Sequence, residues 1–254
     1  MEQENFDQEK NNDEQQNPLL IPFAIIIAGV IIAAAVIFSF TIKKPATVGN
    51  SPSQQQASAQ TAVSGPSISD IVPVSPEDHI RGNPNAEIKV VEFSDLECPF
   101  CKRFQPVMEQ LLSAYGDKMA WVYRHDPIAQ LHPKAFHEAV ASECAAEQGG
   151  NDTFWKYIDG VFQVTPSNNQ LDPAQLDVIA KNLGLDMQKF DSCLSSNRYD
   201  QKIQSQMSDA LKTGPQSTPY SVVIINGRPV ASIDGAYDFA GAKQIIDSAL
   251  SQSN

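Results

Sequence analysis

The sequence predicts an α/β domain, a small mixed sheet interrupted by a helical insertion, carried behind a single transmembrane helix and a flexible linker. Three observations predict it. Short apolar, β-branched runs at residues 87–94 and 119–123 flank an amphipathic stretch, and two more such runs with a closing helix end the chain. Helical segments punctuated by glycine fill residues 130–213 between them. Residues 19–42 carry no charge at all. At a rise of about 1.5 Å per residue such a run can cross a ~30 Å hydrocarbon core.

Charge and composition bound the function. The 254 residues hold 18 Lys+Arg against 30 Asp+Glu, a formal net charge of −12, and are 42% hydrophobic. That apolar content excludes a wholly disordered chain. The acidic balance argues against nucleic acid as a partner, because phosphate contacts need a basic surface. Much of the acid lies in a tail over residues 1–18, where Glu2, Glu4, Asp7, Glu9, Asp13 and Glu14 face only Lys10. Residues 19–42 then read as an uncleaved anchor. The flank before them is acidic, Lys43 and Lys44 follow directly, and no small-residue cleavage site or lipid-accepting cysteine stands nearby. Counting Lys and Arg around the span weakly favours a cytoplasmic C-terminal part. Residues 43–78, rich in Ser, Gln, Ala and Pro, read as a disordered linker.

The globular part is expected over residues 79–254. A strand at 87–94 (EIKVVEFS) leads to a helix over 98–115, with Phe104, Val107, Met108, Leu111 and Leu112 at helical spacing. A second strand follows at 119–123. Helices are expected at 133–148, 153–162, 173–183, 187–194 and 199–211, separated by Gly149-Gly150, Gly184 and other breaks. Strands at 220–225 and 229–233 are joined by Asn226-Gly227, a hairpin signal. Ala242, Ile245, Ile246 and Leu250 mark the closing amphipathic helix.

The chemistry is expected at Cys98-Pro99-Phe100-Cys101. Two thiols one turn apart sit after a strand and open a helix. Its unpaired N–H groups and partial positive charge favour a thiolate at Cys98. Pro99 suits the first turn, where its missing N–H costs nothing. A Cys-x-x-Cys could also be half a zinc site, but Cys144 and Cys193 stand alone without paired spacing, and no metal motif is present. His79, His125, His132 and His137 read as surface or capping residues. Asp95 and Glu97 read as solvated loop acids, with Glu97 adding a negative charge that would push the neighbouring Cys98 pKa up. Asn151-Asp152-Thr153 reads as a helix cap, and Phe154, Trp155 and Tyr157 as core or rim of the insertion.

The run VVEFSDLECPFCKRF at 90–104 closely resembles the DsbA-like branch of the thioredoxin superfamily. Ser217-Thr218-Pro219, followed by VVIING, resembles that family's Thr–cis-Pro element. AVASECAAEQ and FDSCL resemble its helical insertion, so the likeness spans residues 75–252. It implies a thioredoxin-like fold and a protein thiol–disulfide oxidoreductase. Cys98 would be the exposed nucleophile, Cys101 the buried resolving thiol, and Pro219 a cis-proline facing them. Thr218, Pro99 and Phe100 would meet substrate, and Glu92 would be a buried acid that moves the proton of Cys101. The resemblance also pairs Cys144 with Cys193 as a structural disulfide, with no metal and no cofactor. A structural disulfide implies an oxidising compartment, which outweighs the lysine bias and places the domain outside the membrane. The expected partners are exported proteins with free thiols and a quinone-linked membrane redox partner. Phe100 departs from the His of the best-studied members and cannot become cationic. Dithiol oxidation of exported proteins is the favoured direction. The alternatives are a reductase or isomerase, and a non-catalytic peptide-binding or chaperone module.

Overall fold

The computed structural model describes residues 65–214 and 216–253. The acidic tail, the expected anchor at 19–42 and most of the expected linker lie outside the described residues. Among the described residues no helix is long and apolar enough to cross a membrane.

Five strands form one mixed sheet in the order β1-β3-β2-β4-β5, with β1 at His79–Gly82, β2 at Ile88–Ser94, β3 at Met119–His125, β4 at Tyr220–Ile225 and β5 at Arg228–Asp234. β2 and β3 are parallel, as a helical crossover requires, and the other pairs are antiparallel. That crossover is α1, Pro99–Tyr115. The insertion comprises α2 (Ala135–Val164), α3 (Ala174–Asn182), α4 (Met187–Leu194) and α5 (Asp200–Thr213), and α6 (Phe239–Ser253) closes the fold.

Strands β2, β3 and β4 are buried along nearly their whole length because helices cover both faces of the sheet. On one face Val90, Trp121, Tyr123, Val223 and Ile225 pack with Phe104 and Met108 of α1, Ile246 of α6, and Phe154, Trp155 and Tyr157 of the insertion. On the other, Val91, Phe93, Val122 and Val222 pack with Ala210 of α5 and Ile71. The alternation along each strand sorts the two cores.

Four local features differ from the sequence expectations. The fold begins before residue 79: Ile71 is buried, Ile68 and Val74 pack beside it, and Val72 N donates to Asp209 Oδ1 at 2.8 Å. Ser/Gln/Ala-rich composition hid these few apolar anchors. β1 has no strand signature of its own and pairs only with β3. The two helices expected around Gly149-Gly150 run on as α2 with a bend at Gly150, whose φ of 69° belongs to the left-handed region that glycine adopts without strain. The residue engaged beyond that bend is Asn151, which pairs with both the N–H and the C=O of Ile80 on β1. The Asn226-Gly227 turn has positive φ at both residues (50° and 78°), the geometry that matches a twisted hairpin.

Candidate active site

Cys98 is the N-cap of α1, with extended backbone (φ −77°, ψ 122°), and Pro99 opens the helix. The segment between β2 and α1 is tight: Cys98 N donates to Asp95 O at 3.1 Å, and Lys102 N donates to Cys98 O at 3.1 Å. Across from it, Thr218 and Pro219 are joined by a cis peptide bond just before β4. The Cys98 sulfur lies 3.4 Å from Thr218 O, to which it donates when protonated, so the two halves of the site meet although 120 residues separate them. Cys101 lies one turn further in, fully buried, and accepts a hydrogen bond from Asp95 N at 3.4 Å.

The two thiols are electrically opposite. Cys98 is pulled down to about 6, first by the hydrogen bond from the Cys101 thiol and then, against the cost of burial, by the backbone N–H of Cys101, the Thr218 side chain and the N–H of Phe100. Burial, the Cys98 hydrogen bond and nearby negative charge push Cys101 well up. At neutral pH the pair therefore holds one proton, on Cys101. Two expectations are corrected here. Cys98 is only 4% exposed, with Thr218 O 3.4 Å from its sulfur, rather than an open nucleophile. And Glu97 does not set its pKa. The Glu97 carboxylate turns to the insertion and accepts from Asn169 N (2.8 Å) and Leu171 N (3.2 Å).

Asp95 and Glu97 are thus buried anchors and not solvated loop acids. Asp95 accepts from Glu97 N (2.8 Å), Ile128 N (2.8 Å) and the His132 ring (Nδ1, 2.9 Å), which fixes the loop that carries Cys98. His132, His79 and His125 are likewise buried, whereas His137 is exposed. His79 stacks on Phe154 and, with His125 and Lys202, surrounds Glu143. Paired charges lie well inside the domain, a placement that polar residues in short loops do not announce. Glu138, beside Glu97, is pushed up to about 9 by burial and that neighbouring carboxylate.

Glu92 lies in the middle of β2, fully buried, and burial pushes its carboxyl up to about 8. Around the exit of the site Phe100 is 53% exposed, and the Arg103 guanidinium lies 5.1 Å over its ring. This positive charge, one turn along α1, escaped the sequence reading, although the i, i+3 spacing of Phe100 and Arg103 could have revealed it. Pro99 is half-buried beside Phe100. Cys144 of α2 and Cys193 of α4 are bonded to each other with Cα atoms 5.7 Å apart, inside the insertion and outside the dithiol site. Among the described residues no cluster of three or more His, Cys, Asp or Glu side chains is placed to hold a metal.

A central sheet with a Cys-x-x-Cys at a helix N-terminus opposite a cis-proline defines a thioredoxin-type dithiol protein. The thioredoxin family model matches residues 74–248, and the chain belongs to that family, in its DsbA-like branch. The crystal structure of Pseudomonas aeruginosa DsbA2 is 30% identical, with a TM-score of 0.61 over 69% of this chain and 96% of that one. A thioredoxin-like oxidoreductase from Silicibacter pomeroyi is 25% identical, with a TM-score of 0.59 over 70% of this chain and 94% of that one. Wolbachia pipientis alpha-DsbA1, 22% identical with a TM-score of 0.62 over 74% of this chain and 100% of that one, shares the fold. Curated relatives include the Na(+)/H(+) antiporters NhaA 1 of Mycolicibacterium gilvum, 33% identical over 61% of this chain and 24% of that protein, and NhaA 3 of Salinispora tropica, 36% identical over 62% and 23%. The chain spans about a quarter of the length of these curated relatives.

Proposed function

We propose that this chain is a membrane-tethered thiol–disulfide oxidoreductase that introduces disulfides into exported proteins through Cys98 and Cys101. The observation that carries this reading is the asymmetry of the two thiols. Cys98, at about 6, is a good leaving group and a stable thiolate, while Cys101 beneath it keeps its proton. A substrate thiolate attacks Cys98 Sγ of the oxidised pair, the Cys98–Cys101 bond breaks, and Cys101 leaves. A second substrate thiolate then attacks the substrate sulfur of the mixed disulfide and releases Cys98 as its thiolate. The substrate gains a disulfide and the pair takes up two electrons. The Thr218 backbone beside Cys98 would pair with a substrate segment as an added strand, and the exposed Phe100 would give it an apolar contact at the rim.

The uncharged run at 19–42 supports tethering, and the Cys144–Cys193 pair supports an oxidising, extracytoplasmic setting. Antiport itself is not carried over from the curated relatives, which are matched over only a quarter of their length. Their membrane setting is consistent with a tethered domain of this kind. Reoxidation would fall to a quinone-linked membrane partner that accepts electrons from the reduced pair.

Two measurements test this. The oxidised chain, mixed with a reduced, unfolded substrate bearing several cysteines, should form substrate disulfides stoichiometrically, and Cys98→Ser should abolish transfer. Substrate disulfides appearing equally with Cys98→Ser would overturn the reading. In spheroplasts, an impermeant protease should digest the domain; a protected domain beside digested exported controls would overturn the placement.

A further inference from the structure

Six buried polar atoms lie on one patch of the sheet with no hydrogen-bond partner among the described residues: both carboxyl oxygens of Glu92, Ser94 Oγ, Trp121 Nε1, Tyr123 OH and Ser221 Oγ. The strand register puts them together. Glu92 stands opposite Tyr123 on β3 and opposite Ser221 on β4. Ser94 and Trp121 are each two residues along from this row and so share its face. That face is the one covered by α1, and Cys101 lies against it: its sulfur accepts from the N–H of Asp95, the residue that follows Ser94. Ser94 thus lies on the Glu92 face of β2, beside the residue whose N–H holds the Cys101 sulfur, and close enough to Cys101, Glu92 and Tyr123 to act on all three without a formed hydrogen bond to any of them. The titratable groups facing this patch are Cys98 and Cys101 from α1 and Tyr123 from β3, together with Glu92 itself; Asp95 also acts on Tyr123.

A hydroxyl can accept one proton and donate another in the same motion. We infer that Ser94 is the proton relay between Glu92 and the resolving thiol Cys101. This deepens the proposed function and rests on it. In the oxidising direction the substrate thiolate attacks Cys98, the Cys98–Cys101 bond breaks, and Cys101 departs with the electron pair. Ser94 O–H gives its proton to the Cys101 sulfur and takes the proton of the Glu92 carboxyl. The products are the Cys101 thiol, an unchanged Ser94 and the Glu92 carboxylate. In the reverse direction Glu92 carboxylate draws the Cys101 proton back through Ser94, and Cys101 attacks Cys98 and expels the substrate thiolate. Glu92 supplies the proton. A buried thiolate with no donor beside it would be a poor leaving group, and the neutral carboxyl at neutral pH is the available acid.

The test is the pH profile of mixed-disulfide formation between the oxidised full chain and a monothiol such as glutathione, followed in wild type, Ser94→Ala, Ser94→Thr and Ser221→Ala. Ser221→Ala removes a buried hydroxyl from the same patch but on the far side of Glu92. The expected result is about a tenfold rate loss in Ser94→Ala at pH 6–7. The loss should shrink above about pH 8, where Glu92 has already lost its proton. Ser94→Thr should restore the rate, and Ser221→Ala should leave it near wild type. Thermal melting of each variant separates a folding defect, which would lower the rate at all pH values. A Ser94→Ala profile parallel to wild type, or an equal loss in Ser221→Ala, would overturn the relay. A wild-type disulfide that no thiol attacks would instead overturn the proposed function beneath it.

Discussion

Replacing Cys101 by alanine should raise the pKa of Cys98. The hydrogen bond from the Cys101 thiol is the largest of the influences that bring Cys98 down to about 6. The variant loses that donor and keeps the backbone N–H groups of Cys101 and Phe100. A hydrogen bond to a charged group contributes about 1.5–3 kcal/mol, and 1.36 kcal/mol corresponds to one pKa unit, so the loss is about one to two units. Cys98 in Cys101→Ala should then titrate at about 7 to 8, still below a free thiol at about 8.5 because the helix N-terminus remains. The assay is the rate of alkylation by iodoacetamide from pH 4 to 10 on reduced wild type and variant, with the modified residue located by peptide mapping. A variant that titrates with wild type, or below it, would refute the idea that the Cys101 thiol stabilises the Cys98 charge. A Cys98 pKa at or above that of free cysteine in wild type would remove the physical basis of Cys98 as the attacking and leaving sulfur.

The same depressed pKa makes reduced-state stability depend on pH. Between about pH 6 and 9 the folded reduced chain binds fewer protons at Cys98 than the unfolded chain, so its stability relative to the oxidised chain should rise with pH across that window and be lost as pH falls through 6. Urea midpoints of the two forms at pH 5, 7 and 9 check this, and a gap that moves the other way contradicts it. The double variant Cys144→Ala with Cys193→Ala opens a loop of sequence separation 49 and should lose about 4 kcal/mol, seen as a lower melting temperature with the Cys98 alkylation profile unchanged. Phe100→His would place a titratable cation beside the thiolate. It should make the couple more oxidising by a few tens of millivolts, about 30 mV for each 1.4 kcal/mol gained by the reduced form; an unchanged potential would show that this dipeptide does not tune it.

The order of strands and helices was legible because each element carries its own periodicity: Val90, Glu92 and Ser94 alternate with Val91 and Phe93, and Phe104, Met108 and Leu111 follow the helical spacing. Cys98 and Cys101 were legible from their spacing at the start of a helix after a strand, and Pro219 through the family resemblance, since no local pattern tells a chain that residues 98 and 218 will touch. What escaped was set by tertiary burial. Asp95, Glu97 and His132 look like loop polars, and only the fold shows that Ile128, Asn169 and Leu171 supply their partners. β1 escaped because His79–Gly82 is a strand only by pairing with β3. The patch of Glu92, Ser94, Trp121, Tyr123 and Ser221 is spread over three strands. Its members look like ordinary strand residues until the register sets them side by side.

The most direct test of the central claim is the reduction potential of the Cys98–Cys101 couple, read by equilibration with glutathione buffers and quantification of the trapped dithiol. Thioredoxin, with its thiol at about 7, lies near −270 mV, and a thiol one unit lower moves the couple up by about 30 mV. DsbA, with its thiol at about 3.5, lies near −120 mV, and a thiol 2.5 units higher moves it down by about 75 mV. With Cys98 at about 6 the account predicts a mild oxidant at about −195 to −240 mV, still well above the roughly −300 mV of stable structural disulfides, so that transfer to substrates runs downhill. A value at or below about −270 mV would make the couple a reductant and contradict the account.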